Sequence, residues 1–243
     1  VIPISDRPRA PRLFPLVMLT ILAVNVLVFL FVNLSLSPRQ LQQVFLAYGV
    51  VPRELVTGHD LPPPSPHPLF LTIFTAMFLH GGFLHLASNM LYLWVFGDNV
   101  EAAMGHLRFL VFYLLCGVAA AITHILIDPM STVPAIGASG AIAGVLAAYL
   151  RYYPLAGVKT LVFLFPFITV TEISAYLLIG LWFLLQLLSG LAETGRPPRP
   201  GRRGLLGPHR RLRGRLPPGP GLPPPTLVAT RRNFFAQVLT VSY

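Results

Sequence analysis

Acidic residues are scarce in this chain, and after Glu193 there are none. Asp and Glu total 8 in 243 residues, and all charged residues make up 11%. Ordinary soluble domains carry about 25% charge, so a water-facing surface of normal polarity is excluded. Cysteine is almost missing too. Cys116 stands alone, which excludes an intrachain disulfide and reads as a small packing residue. No H-E-x-x-H sequence occurs, so a zinc site of that kind is not expected. The first apolar run is too long for a secretory signal and no small-residue cleavage site follows it. No convincing pair of internal repeats occurs, which argues against a transporter or channel.

Hydrophobic residues are what the chain has instead, at 54%. Several segments run for about 20 residues without a charge, the length that crosses ~30 Å of hydrocarbon. The expectation is an all-α polytopic membrane protein. Its spans fall at about 14–36, 83–103, 107–127, 137–153 and 173–192, with a long loop over 37–68. Residues 159–171, "KTLVFLFPFITVT", are β-branched and broken by Pro166. They read as interfacial rather than spanning. Asp98 and Glu101 have the spacing of a helix-capping box.

Charge is unevenly shared. Residues 1–195 hold eight basic and eight acidic residues, which cancel, whereas residues 196–243 hold ten arginines. Arg7, Arg9 and Arg12 precede the first span, Arg108 lies between the second and third, and Arg151 and Lys159 lie between the fourth and fifth. Lys and Arg favour the cytoplasmic side, so the N-terminus is expected there. The second and fourth spans then both start at the outer leaflet, which brings His80, His85, Asn89 and Ser139 to a similar depth.

Polar groups in a bilayer usually face a bundle interior or cavity. His85 and Asn89 are four apart and share a helical face. His80 is five residues from His85 and would not share it in a regular helix. Ordinary interhelical hydrogen bonding is the bland reading of all three, at ~1 kcal/mol each. Ser139 also has two readings. Gly140 and Gly144 form G-x-x-x-G, a stripe that lets helix backbones touch. Yet Ser139 follows Pro134 and Gly137 at the start of a span. Unpaired backbone N–H groups there favour a developing negative charge, as an acyl-transfer oxyanion requires. A serine nucleophile needs a base within reach as well.

G-x-S-G at Gly137 to Gly140, with H-x4-H-x3-N at His80, His85 and Asn89, resembles the rhomboid family of intramembrane serine proteases. Gly97, Glu101 and Gly105 match that family's G-x3-E-x3-G. The resemblance covers about residues 1–195 and implies a six-helix bundle. It implies Ser139 as nucleophile of a Ser–His dyad, with His85, Asn89 and the Ser139 N–H at the oxyanion and His80 supporting. It implies transmembrane protein substrates and no need of a metal or cofactor; a bacterial inner membrane is the expected location. No nucleic acid partner is expected. The Trp-Arg pair of many family members is absent from the first loop, which contains no Trp.

The resemblance places the base histidine in a sixth span, in a context like A-H-x-x-G. Residues 196–243 instead form a Pro/Arg/Gly-rich tail, where His209 lies in "GPHRRLRG". Such a segment cannot form a buried helix and reads as disordered. The chain is therefore expected to hold five intact spans and to be inactive as written. With CGN for Arg and CTN for Leu, shifting "GRRGLLGPHRRLR" by one nucleotide permits "GGVAFW" followed by "AHIGGF". The tail thus reads as a frameshifted translation of the sixth span. A non-proteolytic protein that holds client transmembrane segments is the alternative.

Overall fold

The structure is a computed structural model that describes residues 1–6, 13–164 and 167–194. The chain folds as β1 (Ile2–Asp6), α1 (Leu16–Ser35), α2 (Pro38–Tyr48), α3 (Pro52–Thr57), α4 (Leu71–Ala76), α5 (Phe83–Met104), α6 (His106–Ile127), α7 (Ser139–Tyr152), β2 (Gly157–Leu164), β3 (Phe167–Ser174) and α8 (Ala175–Thr194). Long helices follow the apolar runs to within a few residues. Two of them, α1 and α6, are long and apolar enough to cross a membrane. The core lies where α1, α5, α6 and α7 meet, around Phe96, Val100, Phe109, Tyr113 and Ile142. Residue α7 14 residues long rises only about 21 Å, short of the ~30 Å hydrocarbon layer.

Three expectations need correction. The fold is mostly helical but not all-α: β1, β2 and β3 form an antiparallel sheet in that order. The β-branched run that could not continue as a helix pairs with itself as β2 and β3, in register from Gly157↔Ser174 to Leu164↔Phe167. The 37–68 loop contains α2 and α3. Pro38 and Pro52 sit at the first helical positions of α2 and α3, where a missing N–H costs nothing. Ser37 and Gln40 close a capping box on α2, and Gly58 ends α3 at φ 71°. Asp98 and Glu101 do not start a helix either, because α5 runs straight through them to Met104.

Glu101 caps a different helix. It is completely buried, and its two oxygens accept the backbone N–H groups of Val17 and Met18 at 2.9 and 2.7 Å. A carboxylate thus sits on the first turn of α1, where orphan donors and the helix dipole both favour it. His106 Nδ1 lies against the same carboxylate. Gly97 supplies the close approach: a Cβ there would stand 2.8 Å from Met18 Cγ. Gly105, at φ 81°, turns the chain from α5 into α6. The three positions of G-x3-E-x3-G therefore allow α1 to approach, cap it, and reverse the chain.

At that same end β1 is pinned to the helices. Asp6 Oδ2 accepts the Tyr149 hydroxyl of α7 and the Asn99 amide of α5, the latter at 2.9 Å.

Candidate active site

Ser139 is the first residue of α7, after Ala138 as N-cap. The first intrahelical bond runs from the Ile142 N–H to the Ala138 carbonyl at 3.0 Å. The N–H groups of Ser139, Gly140 and Ala141 come before it, so they have no acceptor in the preceding turn of helix. The approach to Ser139 is held at two points. Val50 and Ala135 exchange backbone bonds at 2.9 Å, and the Gly137 N–H donates to the Ala76 carbonyl of α4 at 2.8 Å.

Gly137 adopts φ 124°, a region that side-chain-bearing residues rarely enter. A Cβ there would stand 2.8 Å from both Cε1 and Nε2 of His85, and 3.9 Å from Ser139 Oγ. The His85 imidazole and the serine hydroxyl therefore border the same small volume, which Gly137 keeps empty. His85 and Asn89 lie one turn apart on α5, and both are buried. His80 lies before α5 rather than on it. The Gly81–Gly82 break lets its ring meet that of His85 edge to face, with centroids 5.0 Å apart. The five-residue spacing that separates two side chains on a regular helix brings them together here.

Asn89 Nδ2 is buried and finds no hydrogen-bond partner among the described residues. An unsatisfied buried donor is costly, and such atoms in native structures have a reason, commonly a role at a site. Among the described residues no group of three or more His, Cys, Asp or Glu could hold a metal.

The glycine stripe on α7 packs, but against α6. Gly140 faces Ala120, and Gly144 faces Cys116 and Phe112. Their spacing permits a close helix contact without saying which helix makes it. Sequence reasoning also missed His106, whose partner Glu101 is visible only once α5 and α6 are folded against each other. His67 faces Asp60 at 2.7 Å and His59 faces the Thr57 carbonyl at 2.8 Å, both in the exposed loop. His209 and the rest of the tail lie outside the described residues, as do Arg7, Arg9, Arg12 and Pro166.

Residues 68–195, which contain this whole arrangement, match the Rhomboid domain family profile. The chain belongs to the rhomboid family. Three curated rhomboid relatives are similar to it. Putative rhomboid protease YdcA of Bacillus subtilis is 33% identical over 140 residues, 57% of this chain and 63% of the relative. Rhomboid protease GluP of Bacillus subtilis is 44% identical over 78 residues, 32% of this chain and 15% of the relative. Rhomboid protein 1, mitochondrial, of Saccharomyces cerevisiae is 30% identical over 150 residues, 60% of this chain and 38% of the relative. This rhomboid chain spans less than two thirds of the length of each. No solved structure matches it. The rhomboid assignment and the long apolar helices make this a membrane protein.

Proposed function

We propose that this rhomboid chain is built as an intramembrane serine endopeptidase that cleaves transmembrane segments of other membrane proteins. One observation carries the reading: Ser139 opens α7 at the edge of the space that Gly137 leaves beside the His85 ring. In that reading Ser139 Oγ attacks the scissile carbonyl and hands its proton to a histidine base. The base then protonates the leaving amine, and water later releases the acyl group from the serine. The Ser139 N–H, Asn89 Nδ2 and His85 stabilise the oxyanion, and His80 buttresses His85. A client helix would have to unwind locally near Ser139 to expose its carbonyl. The distribution of Lys and Arg supports a cytoplasmic N-terminus, and a bacterial plasma membrane is the proposed location.

The base is the weak point. Within residues 196–243 His209 is the single histidine, and it is flanked by arginine and proline. We infer that the chain as written is inactive or nearly so, and that its tail is a frameshifted translation of the base-bearing span. A fluorophosphonate probe on the purified full chain tests the first point. Background labelling, equal in Ser139→Ala, is expected; strong labelling lost in Ser139→Ala would show that a base is present, with His209 the candidate. The coding DNA tests the second. A plus-one frame across codons 201–216 without an apolar A-H-containing helix would sink it.

A second reading is a non-proteolytic binder of client transmembrane segments. It is favoured by the small-residue line Ser139, Ala143 and Ala147 on α7, of which Ala147 is exposed. It requires client helices to co-purify equally with the native chain and with Ser139→Ala.

A further inference from the structure

We propose that the β2–β3 hairpin is a bilayer-surface anchor, with its distal half inserted at the boundary between headgroups and acyl chains. The inference rests on the membrane character of the chain and is independent of the peptidase reading.

The hairpin has two halves of different character. At its base Val158 and Thr160 are fully buried against the bundle, and β1 covers one side of β2. Farther out, residues 161–170 are all apolar except Thr169. Phe163, Phe167, Ile168 and Val170 are exposed there, Phe167 by 73%. Opposed residues share a face, so the Phe163–Ile168 pair lies on one side of the hairpin and Phe167 on the other. Both faces of the distal half are therefore apolar, and in water they would form a large sticky patch. The opposite demand comes from the backbone. Among the described residues β3 has no neighbour on its outer edge, and unpaired edge groups are not tolerated in hydrocarbon. Only the interfacial layer offers acyl chains to the side chains and water to the edge.

The flanking chain marks the same level. α7 ends in Arg151, Tyr152 and Tyr153, and Leu155 just beyond is 84% exposed. Basic and aromatic side chains of this kind collect at the membrane–water interface. α8 begins directly after β3, with Tyr176 and Leu177 exposed, so its outward apolar surface runs without a gap into the hairpin. Charged residues are confined to the base, where Lys159 stands opposite Glu172. The occupant is therefore the bilayer surface. Because no linker separates β3 from α8, the anchor would set the height of α8, whose Trp182 ring packs 5.6 Å from Tyr92 of α5.

The test uses the full chain with Cys116→Ala and one new cysteine, Ile168→Cys, labelled with an environment-sensitive nitrobenzoxadiazole. Phe163→Cys serves as a second position should the first variant misfold. Both are reconstituted in phosphatidylcholine–phosphatidylglycerol vesicles. Blue-shifted emission is expected, with protection from aqueous iodide and several-fold stronger quenching by shallow than by deep acyl-chain nitroxides. Emission typical of water with full iodide quenching would overturn the proposal. So would protection that vanishes on dilution in lipid, with disulfide-linked dimers forming in a parallel sample of the unlabelled Ile168→Cys chain, which would mean that a second copy covers the hairpin.

Discussion

Two buried polar clusters lie at opposite ends of α5, and they differ in how completely their atoms are used. At the Glu101 end both carboxylate oxygens accept backbone donors of α1, and His106 joins one of them. At the other end Asn89 Nδ2 is buried without a partner among the described residues, beside His85 and the cleft at Gly137. Both clusters carry motif residues and both are shielded from water. A saturated cluster holds helices together, whereas an unsaturated one keeps a donor ready for something that is not yet there. Hydrogen-bond saturation therefore distinguishes these two motif clusters from each other, although Asn25 Oδ1 and Tyr113 OH also lie buried without a partner elsewhere among the described residues.

Substitutions can break this comparison. The largest effect is expected from Glu101→Ala, which leaves two helix-terminal N–H groups and His106 without an acceptor. A loss of about 3 kcal/mol is expected in reversible unfolding in mixed micelles; a loss below about 1 kcal/mol would mean that the cap is not structural. Next comes Gly144→Leu, which drives a side chain into Cys116 and Phe112 of α6. It should cost about 1–3 kcal/mol by overpacking and lower the thermal midpoint. At the unsaturated end Asn89→Leu should be neutral or slightly stabilising, within about 1 kcal/mol, because it removes an unpaired buried amide. A loss as large as that of Glu101→Ala would erase the distinction between the two ends.

The smallest effect concerns Asp6, which sits beyond the Glu101 end. Burial raises its carboxyl above the ordinary 3.8, with the Tyr149 hydroxyl pulling it part of the way back. The folded state therefore prefers the protonated acid. Below pH 3.8 there is no penalty on docking β1; the penalty grows as pH rises through the raised value and is constant above it. Amides of the β1–β2 pairing should be better protected from hydrogen exchange at about pH 4 than at pH 7, after correction for intrinsic rates. In Asp6→Asn that difference should disappear. A pH dependence that persists in Asp6→Asn would assign it to another group.

Much of the helical layout was legible because apolar runs long enough to cross a membrane can do little else. The helices α1, α5, α6, α7 and α8 begin and end within a few residues of their expected limits. The misses have two kinds of cause, one local and one long-range. The 37–68 segment was read as a loop, although its local signals, prolines at N1 and a Ser37–Gln40 capping box, start α2 and α3. The run over 159–171 was read as interfacial; it pairs locally with itself as a hairpin, and only the docking of β1 depends on contacts about 150 residues apart in the chain. Glu101 was noticed for its spacing to Asp98 and turned out to cap a helix that begins 85 residues earlier.

By itself the sequence determined the membrane character, the order of the long helices and the identity of the motif residues, because hydrophobic length and local spacing act within one segment. Tertiary structure alone decided which helix the Gly140–Gly144 stripe touches and that His80 meets His85 across a break in the helix. It also decided that Gly137 leaves room for an imidazole rather than only turning the chain. Those outcomes are set by packing between segments distant in the chain, where the free energy depends on surfaces that exist only after the helices have formed.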